Sequence, residues 1–177
     1  NNLIIHNHQC EPWKVTVVDT GEDSMTGGRL KRVAAYVGNE DFCMTYGDGV
    51  SDVNITELVN FHKAQAKLAT LTAVAPAGRF GALGLDGSTI TRFQEKPQGD
   101  SSYINGGFFV LESGIFNYIN GDETIWEFDS LKDMADAKQL AAFKHNGFWK
   151  CMDTLRDRAE LEAAWNDGKA PWKKWKD

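Results

Sequence analysis

Asp48 stands between two glycines in the run Thr45-Tyr46-Gly47-Asp48-Gly49. A carboxylate with so little steric cover suits Mg²⁺, an ion that takes one or two protein carboxylates and fills its octahedron with water and substrate phosphate oxygens. Asp-Gly is equally the composition of a hairpin turn. Lys96 lies between Glu95 and Pro97. The proline holds Lys96 in an extended conformation, so its ammonium is aimed by a stiff backbone and makes a good point charge for a phosphate. The ordinary alternative is a solvated surface lysine before a turn. Asn105-Gly106-Gly107 offers an amide for hydroxyl groups and glycines that admit a ligand close to the backbone, yet Asn-Gly is also the strongest short hairpin signal. Asp153 precedes Thr154 at the start of a helical pattern, where an N-cap is the obvious role. Thr26-Gly27-Gly28-Arg29 puts glycines, backbone N–H groups and a guanidinium at a helix entry, a combination suited to phosphate. Glycine pairs at helix starts are common for structural reasons as well.

These residues need elements to position them. Val15 to Val18 reads as a strand and Asp19-Thr20-Gly21 as a loop. Leu30, Val33, Ala34 and Val37 follow helical spacing from a start near Gly28. Phe42 to Tyr46 has the pattern of a buried parallel strand that stops at Gly47-Asp48-Gly49, and the carboxyl ends of such strands are where open α/β sheets place their ligand crevice. Asn54 is a candidate N-cap for a helix carrying Ile55, Leu58, Val59 and His62, which feeds a strand from Leu68 to Val74 and completes a β-α-β unit. Strands follow at Gly78 to Leu85, Thr89 to Glu95 and Gly107 to Leu111, with a turn at Asp86-Gly87. Helical stretches are expected at Ser113 to Tyr118 and Asp129 to Ala137, strands around Leu140 to Phe143 and Trp149 to Met152, and a last helix with Leu161, Ala164 and Trp165 that stops at Gly168. The fold class is α/β, a Rossmann-like mixed sheet flanked by helices. No repeat or linker divides residues 1–177, which are expected to form one domain.

With 177 residues, 42% hydrophobic and 11% aromatic, the chain can bury a real core. A net charge of −6 argues against nucleic acid and anionic membrane surfaces as partners. Cys10, Cys43 and Cys151 are three in number and far apart, with no C-x-x-C pair, which fits a reducing cytoplasm. Leu68 to Ala77, the longest mainly apolar stretch, is about half of what a bilayer crossing needs. His6 and His8 are more simply exposed than metal-bound and receive no role. Trp165, Trp172 and Trp175 suggest packing or a subunit contact rather than base stacking. Leu3-Ile4-Ile5 reads as a strand caught in progress, so the sequence is expected to begin mid-domain.

The order and wording of these segments resemble the sugar-1-phosphate nucleotidyltransferase family, in particular its glucose-1-phosphate cytidylyltransferases, over nearly the whole chain. The phrases are E-P-W-K-V-T-V-V-D-T-G from Glu11, M-T-G-G-R-L-K-R-V from Met25, T-Y-G-D-G-V from Thr45, G-R-F-G-A-L from Gly78, F-Q-E-K-P from Phe93, I-N-G-G-F-F-V from Ile104 and G-F-W-K-C-M-D-T-L-R-D from Gly147. E-K-P and N-G-G occur widely among sugar nucleotidyltransferases, whereas T-G-G-R-L with G-F-W-x-x-M-D-T-L-R-D points to the cytidylyl branch. The resemblance implies that CTP and glucose 1-phosphate give CDP-glucose and pyrophosphate, for 3,6-dideoxyhexoses of O-antigen, in a cytoplasmic oligomer that uses Mg²⁺. By motif, Asp48 and Asp153 correspond to the Mg²⁺ carboxylates, Glu95 and Lys96 to the pair holding the sugar and its phosphate, Asn105 to a sugar contact, Gly27 and Gly28 to the cytosine-side loop, and Arg29 to a phosphate contact. Family members open with a strand, a G-G-x-G-T-R-L loop and a downstream lysine that grip the triphosphate, and these 177 residues hold no counterpart. Little or no turnover is therefore expected of this chain alone. The competing expectations are a non-catalytic binding or oligomerisation module on the same fold, and an enzyme that takes UTP or dTTP.

Overall fold

The computed structural model describes residues 13–75, 82–86, 88–94 and 103–175. In chain order the elements are α1 (Thr26–Arg32), α2 (Ala34–Val37), β1 (Phe42–Thr45), β2 (Gly49–Ser51), α3 (Ile55–Gln65), β3 (Ala69–Val74), β4 (Ala82–Asp86), β5 (Thr89–Gln94), β6 (Ile104–Leu111), α4 (Leu131–Asp136), β7 (Leu140–His145), β8 (Trp149–Cys151) and α5 (Leu155–Asn166). A 3₁₀ turn at Ser113–Tyr118 and a π turn at Trp126–Ser130 lie between β6 and α4.

Four strands form the central sheet in the order β1-β6-β3-β7. β3 and β7 are parallel, and β6 runs antiparallel to both of its neighbours, β1 and β3. The mixed α/β expectation therefore holds, and the β-α-β unit is present with β6 inserted between its two strands. The position of its first strand is a correction. β1 was expected to be buried and parallel-paired, but among the described residues it pairs with β6 alone, antiparallel, and alternates between half-buried and exposed residues. Two short ribbons, β2 with β8 and β4 with β5, stand beside the sheet. The β4–β5 hairpin closes at the pair Asp86 and Thr89, where the turn was expected.

Helix α3 begins where its cap requires, since Asn54 Oδ1 accepts from the Glu57 N–H at 3.2 Å. It packs on one face of the sheet through Leu58, His62 and the Phe61–Phe143 ring contact. On the other face, Ala69, Phe109, Leu111, Ile115, Ile119, Trp126 and Met134 form a core with Leu30 of α1 and Leu131 of α4. Phe109 meets Trp126 edge-on at 6.1 Å. This core ties α1 and the 113–136 segment to the strands that end at the cavity described below.

Val15 to Val18 does not form a strand. Val15 is 76% and Val17 92% exposed, and the segment pairs with no strand among the described residues. An apolar run makes a strand only where a partner edge is offered. Trp172 stacks on Phe148 at 5.3 Å, and Trp175 lies 6.2 Å from Trp165 on α5, with both of the latter rings still about half exposed. No helix among the described residues is long and apolar enough to cross a membrane.

Candidate functional site

Beyond the carboxyl ends of β1, β3 and β7 lies a cavity of about 580 Å³, within the roughly 300–1,000 Å³ usual for small-molecule sites. Its walls include Tyr46, Asp48, Asn105, Gly106, Trp149 and Asp153. Asp48 arrives there because the chain leaves β1, turns at Gly47 and Asp48, and enters β2. β2 pairs with β8 and not with β1, so the Asp-Gly pair does not close a hairpin.

The β2–β8 ladder explains how two carboxylates far apart in sequence come to line the same cavity. Gly49 faces Cys151, and the Asp48 carbonyl accepts from the Met152 N–H at 2.8 Å, which carries Asp153 to the wall that holds Asp48. Asp52 anchors the other end of the ribbon: its Oδ1 accepts from the Phe148 N–H at 2.7 Å and lies 3.0 Å from His145 Nε2. Burial would raise the Asp52 pKa, but the hydrogen bonds from Lys174 and the Phe148 N–H outweigh it and hold the carboxyl below its ordinary value.

Asp153 is not the helix cap that its position suggested. Thr154 takes that role, with Oγ1 accepting from the Asp157 N–H at 3.2 Å while Asp157 Oδ2 accepts from the Thr154 N–H at 3.1 Å. Asp153 is left to the cavity, where its Oδ2 accepts from the Cys151 thiol at 3.1 Å. Two exposed carboxylates on one wall match the hard oxygen donors that Mg²⁺ accepts.

Asn105-Gly106-Gly107 is not a hairpin either. β6 runs unbroken from Ile104 to Leu111, and the glycines lie where its register with β3 shifts between the pairs Leu71–Phe109 and Ala73–Asn105. Gly107 has φ +75°, and a Cβ on it would stand 2.7 Å from the Tyr46 ring. The Gly106 carbonyl accepts from the Trp149 indole at 2.7 Å, which closes the cavity on that side.

Tyr46 and Glu127 are the residues that the sequence did not single out. The Tyr46 hydroxyl donates to Glu127 Oε1 at 2.7 Å and accepts from Asn105 Nδ2 at 3.3 Å, while Asn105 Oδ1 accepts from the Gly107 N–H at 2.9 Å. Glu127 Oε2 in turn accepts from Thr26 Oγ1 at 2.9 Å. Burial first, then the bond to Glu127, pushes the Tyr46 pKa well above that of an ordinary phenol, so the group stays protonated and its donor direction is fixed. This chain sets the orientation of the Asn105 amide from the far side of the cavity wall. Tyr46 was legible only as a strand end, and Glu127 carried no local signal.

Gly27, Gly28 and Arg29 lie outside the cavity wall. The Gly27 and Gly28 N–H groups both point at the Thr124 carbonyl, at 2.9 and 3.3 Å, so they are not the open anion cradle that the sequence suggested. Arg29 donates to Thr20 Oγ1 and to the Glu22 carbonyl, each at 2.9 Å, and so holds the loop before α1. Glu95 and Lys96 lie outside the described residues, as do His6, His8, Leu3-Ile4-Ile5 and the start of the G-R-F-G-A-L phrase. Of the predicted site, then, the structure brings together Asp48, Asn105 and Asp153.

The profile of the family described as nucleotidyl transferase matches residues 6–173. The glucose-1-phosphate cytidylyltransferase of Salmonella typhi is 54% identical over 176 residues, covering 99% of this chain and 68% of that protein. The protein of the same name from Salmonella typhimurium gives the same identity and coverage. Among solved structures, HddC from Yersinia pseudotuberculosis superposes with a TM-score of 0.59 at 20% identity, covering 81% of this chain and 64% of that one, a likeness of fold.

Proposed function

The chain belongs to the nucleotidyl transferase family, and on that premise we propose that its cavity serves the transfer of a cytidylyl group to glucose 1-phosphate. In this reaction a phosphate oxygen of α-D-glucose 1-phosphate attacks the α-phosphorus of CTP. The new P–O bond gives CDP-glucose, and the bond to the β-phosphate breaks to release pyrophosphate. The observation that carries the reading is the meeting of Asp48, Asp153 and Asn105 on one cavity at the carboxyl end of the parallel strands.

Such a transfer needs positioning and charge neutralisation more than a covalent residue. Asp48 and Asp153 would hold Mg²⁺, which when bound draws charge from the phosphate oxygens of both substrates. Asn105, oriented through Tyr46, pairs with sugar hydroxyls, and Gly106 and Gly107 line the cavity beside it. By their motif, Glu95 and Lys96 belong to the sugar and its phosphate, Gly27 and Gly28 to the cytosine side, and Arg29 to a phosphate, which it would meet only on leaving Thr20 and Glu22. In this reading residues 1–177 work as one unit of a cytoplasmic homo-oligomer, with no nucleic acid or membrane as partner, and the product serves O-antigen sugars.

The test is pyrophosphate release from CTP, UTP or dTTP with glucose 1-phosphate and Mg²⁺, paired with calorimetric binding of CDP-glucose. Because no G-G-x-G-T-R-L run occurs in these 177 residues, turnover by them alone is expected near background, and CDP-glucose binding then decides. CDP-glucose held at least tenfold more tightly than UDP-glucose supports the reading. Tighter UDP-glucose or dTDP-glucose would overturn the choice of nucleotide, and no nucleotide-sugar binding at all would favour a non-catalytic module.

Tyr46→Phe isolates the Asn105 chain. It removes both hydroxyl bonds while the ring, which rests edge-on against Phe109 at 5.6 Å, stays in place. In a polypeptide that carries these residues and turns over, a lost hydrogen bond of about 0.5–1.5 kcal/mol corresponds to a roughly two- to tenfold rise in KM for glucose 1-phosphate. KM for CTP and kcat should hold, whereas a general loss of structure would move all three.

A further inference from the structure

We propose that Asp41, His62 and Glu112 form a binding site for a divalent transition-metal ion, Zn²⁺ being the best match, at the end of the sheet opposite the cavity. His62 on α3 is 1% exposed, and its Nδ1 lies 2.9 Å from Thr70 Oγ1 on β3. When Nδ1–H donates to that hydroxyl, Nε2 carries a lone pair, and this buried nitrogen has no hydrogen-bond partner among the described residues. A buried polar atom without a partner calls for an explanation.

The surroundings of Nε2 supply one. Glu112 Oε1 stands 4.0 Å from it, and one ligand atom from each of Asp41, His62 and Glu112 lies within 4.8 Å of the others. The strand register makes the two carboxylates neighbours: Phe42 faces Leu111, so one step further along β1 and β6 sets Asp41 beside Glu112. The Glu112 N–H donates to the Leu68 carbonyl at 2.8 Å, which fixes its backbone. Like charges in facing positions repel, and neither carboxylate forms a salt bridge with a lysine or arginine among the described residues. A divalent cation would answer the repulsion and the orphaned nitrogen together.

The donor set selects the class of ion. Imidazole nitrogen with carboxylate oxygen suits zinc and its neighbours, whereas Mg²⁺ and Ca²⁺ favour oxygen alone. At ligand distances of about 2.0–2.2 Å the edges of a zinc tetrahedron are about 3.4 Å, so the three side chains need to close by little more than 1 Å. Asp41 is exposed and Glu112 half-buried, so both can rotate inward and an ion can enter from solvent. The Nδ1–Thr70 contact would fix the ring tautomer, as outer partners of metal-bound histidines do. Three protein ligands leave the fourth position to water. The ion would pin β1 to β6 and α3, and it is separate from the Mg²⁺ proposed at Asp48. Glu112 is seven residues along the strand from Asn105, roughly 23 Å at the usual rise.

The experiment is calorimetric titration of the chelator-treated chain with Zn²⁺, in excess Mg²⁺, followed by Co²⁺ absorption spectroscopy. The expected result is saturation at one Zn²⁺ per chain, with a tetrahedral Co²⁺ spectrum free of thiolate charge transfer. Glu112→Gln and Asp41→Asn, both at accessible positions that leave the buried histidine in place, should each weaken binding by about 10–100-fold, and Asp48→Asn should leave it unchanged. Absence of saturable Zn²⁺ binding, binding that survives both variants, or binding lost instead in Cys43→Ser would overturn the proposal.

Discussion

Asparagine at Asp48 or at Asp153 is expected to cut pyrophosphate release by about 10²–10³-fold in any polypeptide that carries these residues and turns over, the range seen when one oriented charge-stabilising group is lost from a transfer site. The two substitutions should not add. Both carboxylates line one cavity, with the β2–β8 ladder setting Gly49 against Cys151, so each substitution would remove the same proposed ion site and the double variant should be little worse than either single one. Raising Mg²⁺ should recover part of the lost rate in the single variants and none in the double. Both side chains are exposed, so thermal midpoints should be unchanged and the loss cannot be assigned to unfolding. Turnover of Asp153→Asn within tenfold of the parent would remove Asp153 from the metal site and leave Asp48 to act with water ligands alone.

What the sequence made legible was largely local. Asn54 announced α3 because a cap and its helix are neighbours, and the apolar runs announced β1, β3, β6 and β7 because pattern and length are local as well. Asp48 was placed at a strand end, and the carboxyl-end rule for α/β sheets then located the crevice. Strand order is not local. β1 has the composition of a central strand, yet its described partner is the antiparallel β6, because the sequence does not say that β6 will insert between β1 and β3. Asn105-Gly106 misled for a related reason. Asn-Gly closes hairpins when the flanking strands pair with each other, whereas here β1 and β3 claim the two sides of β6 and the glycines absorb a register shift instead. Glu127 was invisible because its partners, Tyr46 and Thr26, are distant in sequence and its own surroundings have no distinctive composition.

Gly28→Ala is expected to lower the thermal midpoint of the ligand-free chain by about 2–12 °C, and the reason separates two roles that the sequence leaves superimposed. A glycine pair at a helix entry has the same spelling whether it admits a nucleotide or a neighbouring backbone. In the structure a Cβ on Gly28 would fall 2.5 Å from the Asp122 carbonyl oxygen and 2.6 Å from the Asp122 Cα, and one on Gly27 would fall 2.8 Å from the Thr124 carbonyl oxygen. These are main-chain atoms, so no rotamer change relieves the overlap. Asp122 is further held by a salt bridge to Arg32 and by its carbonyl bond to the Met25 N–H at 2.8 Å. Relief therefore requires α1 to move away from the 121–125 segment, stretching the Gly27 and Gly28 bonds to Thr124 and the Thr26 bond to Glu127. Overpacking of this kind costs about 1–3 kcal/mol, and at this chain length each kcal/mol moves the midpoint by roughly 2–4 °C. Gly121→Ala is the control, since a Cβ there meets nothing within 4 Å and the midpoint should hold or rise slightly. If Gly28→Ala left the midpoint at the parent value and weakened only CTP binding, the glycines would be a nucleotide loop and their packing against Asp122 incidental. A lowered midpoint without ligand, with the Asn105 chain loosened through Thr26 and Glu127, would mean that α1 supports the Asn105 side of the cavity by docking rather than by touching substrate.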